Sequence, residues 1–303
     1  MPAPSRAVSL WILTVVLVLA AVAYQRRTGP TYPYRTSIAV TQGETVRLRL
    51  IRSAETTADA EVVVPSPGAA VTGTMFWRRY PTADEWRPVS MTARTDADGA
   101  SELVGLLPRQ VAAGKLEYRL ELMTPSGPQR VPAVPNADGE HLVMRFKDPV
   151  PVVVLLPHVV MMFLALLLGL RAGLGAVLGI DGWQRFVVPT AVCLTLGGMV
   201  LGPIVQKYAF GAYWTGFPFG YDLTDNKTLA GWVGWLLSAA AVRAALGFRA
   251  SWARALVIVS TLVMLSIYLI PHSLRGSQLD YEKLDQLQQQ GIDPRKAIGT
   301  SDK

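Results

Sequence analysis

Five stretches almost free of charge, each near the length that carries a helix across a bilayer, decide most of what this chain can fold into. They are 8–24 (VSLWILTVVLVLAAVAY), 150–170 (VPVVVLLPHVVMMFLALLLGL), 186–206 (FVVPTAVCLTLGGMVLGPIVQ), 229–246 (LAGWVGWLLSAAAVRAAL) and 254–271 (RALVIVSTLVMLSIYLIP). A membrane helix needs about 20 predominantly apolar residues. Between the first and second stretches lie residues 25–149, which hold most of the acids and many of the bases. Only 17% of the 303 residues are charged, against about 25% in an ordinary soluble domain. The pattern predicts an N-terminal anchor, a soluble domain and a four-helix C-terminal membrane bundle.

The first stretch reads in two ways. Ala21-Val22-Ala23 has the small-x-small form of a signal-peptide cleavage site, while Arg6 alone precedes the apolar run and Arg26-Arg27 follow it. A retained signal anchor and a removed signal peptide both deliver residues 25–149 to the far side. Short loops fix the orientation, because Lys and Arg mark the cytoplasmic side. Loop 171–185 brings Arg171 and Arg185, and loop 243–254 brings Arg243, Arg249 and Arg254. In loop 207–228, Lys207 and Lys227 are balanced by Asp222 and Asp225. That loop, the soluble domain and a polar tail over 272–303 are expected outside. The Arg-rich, cysteine-poor style fits a bacterial inner membrane, with the periplasm as the outside.

Within 25–149 the apolar residues alternate in TVRLRLI (45–51), AEVVV (60–64) and KLEYRLEL (115–122), with turn signals at Pro65-Ser66-Pro67-Gly68, Asp96-Ala97-Asp98-Gly99 and Thr124-Pro125-Ser126-Gly127. Period-two runs at such spacing predict seven or eight strands in an antiparallel all-β sandwich of immunoglobulin or fibronectin type. The run FWRRYPTADEW (76–86) reads either as a partner-binding edge or as a plain hairpin with Phe76 or Trp77 in the core. The tail beyond 279 reads as a short surface helix and a frayed end.

Several function classes lack support. The net charge of +7 is scattered rather than gathered into a basic run, which argues against a nucleic-acid partner. The single cysteine, Cys193, has no mate. No nucleophile elbow, Walker loop or Cys-x-x-Cys occurs. The spans carry few polar residues of the kind that line transport paths.

One constellation points to a ligand. His158 follows Pro157 early in the second span, and His272 follows Pro271 at the end of the fifth. Between the third and fourth spans runs KYAFGAYWTGFPFGYDLTDNKTLAGWVGW (207–235), aromatic, Gly-rich and acidic. Neutral imidazoles can bind haem iron axially, aromatic walls can lie against a macrocycle, and a lysine can meet a propionate. The stretch from Gly202 resembles the tryptophan-rich outer loop of cytochrome c assembly proteins, which handle haem between two flanking histidines. Phe210-Gly211, Tyr213-Trp214, Asp222 and Trp232 or Trp235 fall where that family carries its Trp-Gly, Tyr-Trp, Asp and helix-borne Trp. The family's Asp-Pro-Lys-Glu core is absent here, and GFPFGY separates Trp214 from Asp222. The resemblance covers about residues 202–243; it implies a haem b site with His158 and His272 as iron ligands, Tyr213 and Trp214 as platform, and Lys227 toward a propionate. Three plainer readings stand beside it. Aromatics collect at bilayer interfaces, Asp225 or Asn226 can cap the fourth span, and Asp222 with Asp225 can offer oxygens to Ca²⁺. The first reading of the whole sequence is a non-catalytic accessory or assembly protein, bathed in membrane lipid and presenting its sandwich to an envelope protein partner, with the haem site as the alternative.

Overall fold

The computed structural model describes residues 4–41, 43–67, 70–136, 139–244, 249–271 and 276–300. The chain forms two compact units, one from the N-terminal stretch to Pro30 with Val150–Gly276, the other from Thr31–Pro149 with Ser277–Gly299.

The first unit is helical. Its elements are α1 (Pro4–Thr28), α2 (Val152–Val177), α3 (Val187–Leu194), α4 (Gly202–Phe210), α5 (Leu223–Ala244) and α6 (Arg249–Leu269). A π-helical turn, Thr195–Leu201, joins α3 to α4 without a break. Four helices among the described residues are long and apolar enough to cross a membrane: Arg6–Thr28, Val152–Val177, Trp183–Phe210 and Ser251–Leu269. Their outer faces leave Ile12, Leu19, Val153, Leu156, Leu196 and Leu262 exposed, an apolar belt that water does not tolerate on this scale and that lipid does. The expected span 229–246 is not among the four. Residues 245 and 246 of that stretch lie outside the described residues, and within α5 Trp232, Gly234, Trp235 and Ser238 serve packing between helices.

Helices meet in this unit through small residues and hydroxyls, as they do where lipid removes the hydrophobic drive to associate. Ser238 and Ser260 hydroxyls lie 3.0 Å apart, and the Ser260 hydroxyl donates to Gly234 O at 2.9 Å. Trp232 Nε1 donates to Thr195 Oγ1 at 2.9 Å. Leu166, Leu170, Val187, Trp235, Val257 and Met264 fill the interior. The expected loop 171–185 begins later than its sequence suggests. α2 runs on to Val177, which places Arg171 on its buried face rather than in a loop.

In the second unit, strands β1 (Tyr34–Thr41) and β2 (Glu44–Leu50) form a hairpin, and β4 (Ala60–Pro65), β8 (Ser101–Leu107) and β7 (Thr92–Thr95) form a three-stranded sheet in the order β4-β8-β7. The larger sheet runs β3-β11-β9-β5-β6, with β10 also on β9; these are β3 (Ser53–Glu55), β5 (Thr72–Arg79), β6 (Arg87–Ser90), β9 (Lys115–Thr124), β10 (Gly127–Val131) and β11 (Leu142–Lys147). Alternation along β9 explains the layering: Leu116, Tyr118, Leu120 and Leu122 turn inward, while Arg119 and Glu121 lie on the outer face. Leu50, Val62, Met75, Leu107, Tyr118 and Phe146 belong to a single core shared by these three sheets, which makes the unit a β-sandwich in the broad sense. The Tyr118 hydroxyl, deep in it, donates to Ile51 O at 2.7 Å.

Two expectations need correction here. The described residues of 34–147 hold eleven strands, some of only three or four residues, and short edge strands such as β3 are too brief for period-two alternation to reveal. One pair is parallel, with Arg145 beside Ser53 and Lys147 beside Glu55, because the chain returns to that edge after a long excursion rather than through a hairpin. The short helix expected after 279 is present, and the described residues that follow it, as far as Thr300, are tied into a strand pair rather than frayed. Strands β12 (Ser277–Leu279) and β13 (Ile298–Thr300) pair, with α7 (Tyr281–Gln289) between them, and Asp280 caps α7 by accepting from Lys283 N. Leu279, Tyr281, Leu284 and Ala297 form a small buried cluster. Tyr281 explains the attachment: its hydroxyl donates to Lys115 O at 2.7 Å and accepts from Lys115 N at 3.0 Å. Arg79 reaches both oxygens of Asp285 at 2.9 Å, and Arg295 meets Asp148 at 2.7 Å.

Candidate functional site

The loop between α4 and α5 is built from its own acids. Gly211, at φ +84°, ends α4 in the left-handed conformation that glycine accepts without strain. The cap of α5 is Asp222, not Asp225 or Asn226 as the sequence suggests: Asp222 Oδ1 accepts from Thr224 N at 2.8 Å and from Asp225 N at 3.3 Å. Asp225 is thereby released from capping and reaches back to the loop. Its Oδ2 accepts from Thr215 N at 2.7 Å, Gly216 N at 3.0 Å and the Thr215 hydroxyl at 3.3 Å. Asn226 Oδ1 takes Phe217 N at 2.6 Å, and Gln206 Nε2 donates to Thr215 Oγ1 at 2.6 Å. Asp222, Asp225 and Lys227 keep only 5%, 7% and 7% of their surface.

This network sets the surroundings of the acids and of Lys227. Asp222 Oδ1 and Asp225 Oδ2 face backbone N–H donors, which a Ca²⁺ ion at those two oxygens would have to displace, and among the described residues no group of three or more His, Cys, Asp or Glu is placed to hold a metal ion. Lys227 is turned to the C-terminal end of α6, where Nζ donates to Ile270 O at 2.8 Å. A cation there satisfies a terminal carbonyl of the helix.

The aromatics are divided by the same scaffold. Trp214 Nε1 donates to Phe217 O at 3.0 Å, which locks the indole into the loop. Tyr213 is exposed, with Lys207 Nζ 5.3 Å from its ring centre. Phe217, Phe219 and Tyr221 stand out at 68%, 82% and 76% exposure.

His158 sits in the second turn of α2, after Pro157. The π turn leaves Gly197 with a carbonyl that His158 can reach, and His158 Nδ1 lies 2.9 Å from Gly197 O. A carbonyl can only accept, so Nδ1 carries the proton and Nε2 of the neutral ring keeps its lone pair. π turns are rare and often mark functional positions. The partner expected for His158, His272, lies outside the described residues.

A second feature lies on the outer face of the large β-sheet. Phe76 turns away from the core while its neighbour Trp77 enters it. The Arg119 guanidinium sits 4.8 Å from the Phe76 ring centre and 4.6 Å from that of Trp86, whose ring also meets the Arg78 guanidinium at 4.6 Å. Arg78 pairs with the nearly buried Glu117. His141 packs on Trp86 with ring centres 4.6 Å apart, and burial pulls its imidazole below the usual pKa, which favours the neutral form. The result is a stack, Phe76–Arg119–Trp86–Arg78, of alternating ring and guanidinium. Both readings of 76–86 in the sequence thus hold a share: Trp77 is core, Phe76 and Trp86 are face. The partners Arg119 and His141 are distant in sequence and carry no local signal.

Fold and site together describe a protein of helices long enough to cross a membrane joined to a β-sandwich unit. No protein-family model matches the chain, and no curated protein matches it in sequence. The resemblance of 202–243 to cytochrome c assembly proteins therefore stands on the quoted residues alone.

Proposed function

We propose that this is a non-catalytic membrane accessory or assembly protein, which holds an immunoglobulin- or fibronectin-like sandwich on the periplasmic side of a bacterial inner membrane and offers it to another envelope protein. The observation that carries the proposal is the stack Phe76–Arg119–Trp86–Arg78. Its guanidiniums are held in place by rings and by Glu117, so little side-chain freedom is lost when a partner docks. Trp and Arg are the residues that most often dominate protein interfaces. The partner surface that fits is one with carboxylates set among apolar side chains.

The test places a photo-crosslinking residue at Thr74, on the same β5 face, and at Arg94 on β7 as a control. One discrete envelope-protein adduct from Thr74, lost in Trp86→Ala while the variant keeps its unfolding temperature, is the expected result. Equal adducts from both positions, or an adduct indifferent to Trp86→Ala, would remove the stack from consideration.

A second reading, a haem site at the outer ends of the helices, is favoured by one observation: His158 Nδ1 is fixed on Gly197 O, the kind of second hydrogen bond that orients a metal-binding imidazole. Haem would supply an iron for Nε2. On this reading, purified protein from haem-supplied cells shows a Soret band that shifts on reduction and is lost in His158→Ala. A featureless spectrum retires it.

A further inference from the structure

We infer that the helical unit carries a binding site for a phosphate group, as borne by an anionic phospholipid, built on Arg171 and Arg185. Arg171 is 2% exposed, and its Nε and Nη1 have no hydrogen-bond partner. Neither Arg171 nor Arg185 forms an ion pair among the described residues. Instead both guanidiniums lie on one ring, 4.9 Å and 4.8 Å from the centre of Phe186. Trp11 of α1 stands edge-on to Phe186 at 5.6 Å and 5.5 Å from the Arg171 guanidinium.

Two like charges on one ring, one of them enclosed, are out of balance. An unpaired buried ion costs several kcal/mol even after relaxation, whereas a cation–ring contact returns about 0.5–2 kcal/mol. Two rings do not close that gap, and an anion does. Arginine's planar fork matches phosphate oxygens in pairs. The place fits a headgroup: Arg171 is six residues from the end of α2, about 9 Å along the axis, within reach of the interface for a side chain that extends toward it. Arg254, also at this end, is already engaged, donating through Nε and Nη2 to Ala176 O and Val177 O at 2.7 Å and 3.2 Å. Arg185, exposed, receives the phosphate, and the charge of Arg171, held on the same Phe186 ring, adds to its attraction from behind. Basic sites between helices at the cytoplasmic end are a recurrent way to hold anionic lipid.

The full chain is reconstituted in nanodiscs of phosphatidylcholine alone, of phosphatidylcholine with phosphatidylglycerol, and of phosphatidylcholine with inorganic phosphate in the buffer. Unfolding temperature is read in each, and retained lipid is read by native mass spectrometry. Wild type should unfold at higher temperature with phosphatidylglycerol and should carry one anionic lipid. Arg171→Met should lose that rise while holding or raising its unfolding temperature in phosphatidylcholine, since it removes an unpaired buried charge. Arg185→Gln, an exposed change, should weaken retention about tenfold, the loss of one charge-assisted contact. A rise with inorganic phosphate, absent in Arg171→Met, supports the same site filled from solution. An Arg171→Met protein weakened equally in all three, or retention untouched in both variants, would overturn the inference.

Discussion

Asp225→Ala should leave the helices standing and release the 211–222 loop. The substitution removes the acceptor of two backbone N–H groups and one hydroxyl, in a position where Asp225 keeps little contact with water. Hydrogen bonds to a charged acceptor are worth about 1.5–3 kcal/mol each, and donors left bare in a buried site cost as much again. A local loss of about 3 kcal/mol is expected, which corresponds to roughly a hundredfold faster amide exchange at Thr215 and Gly216. Asp225→Asn keeps one oxygen in place and should lose about half of that free energy. Exchange that does not change in Asp225→Ala would mean that Asn226 and the packing of Trp214 hold the loop unaided.

Gly173→Ala is expected to damage the helical unit as a whole. A Cβ at that position would stand 2.4 Å from Thr261 Cγ2 and Oγ1 and 2.7 Å from its Cβ. These are branch atoms close to the α6 backbone, not the end of a flexible side chain, and Thr261 is fixed by donating to Val257 O at 2.8 Å. The helices must move apart, an overpacking cost of about 1–3 kcal/mol or more, visible as a fall of roughly 5 °C or more in unfolding temperature. Gly231→Ala, whose Cβ meets only the terminal Cδ1 of Ile267 at 3.0 Å, is the control and should change little. Thr261→Ala added to Gly173→Ala should recover part of the loss, a coupling that a double-mutant cycle measures. Similar falls in both glycine variants would show that helix propensity, not the α2–α6 contact, sets the effect.

The large features were legible because they repeat. Charge-free runs mark Arg6–Thr28, Val152–Val177, Trp183–Phe210 and Ser251–Leu269, and alternation marks β5 and β9. What escaped was decided by single long-range contacts. Nothing near Tyr281 announces that its hydroxyl will bridge Lys115. Arg171 reads as the first residue of a basic loop until the helix is seen to continue past it. Asp222, Asp225 and Asn226 were all visible as oxygens near a helix start, but which one caps depends on where the first turn closes. Lys227 was read for its charge, whereas its position is set by Ile270 O from another helix.

The Tyr281 attachment carries a constraint on threading. Ser277–Gly299 and Thr31–Pro149 make one folded body, so both lie on the same face of any membrane the chain crosses. The segment between them, 150–276, must then traverse the bilayer an even number of times. Hydropathy finds three candidates there, Val152–Val177, Trp183–Phe210 and Ser251–Leu269, and three is odd. If all three cross, a fourth passage makes the count even, and Leu223–Ala244 is the remaining long helix among the described residues. The charge-poor run 229–246 that marks this helix in the sequence thus meets a second, independent demand for a passage, set by a tyrosine some forty residues further along the chain.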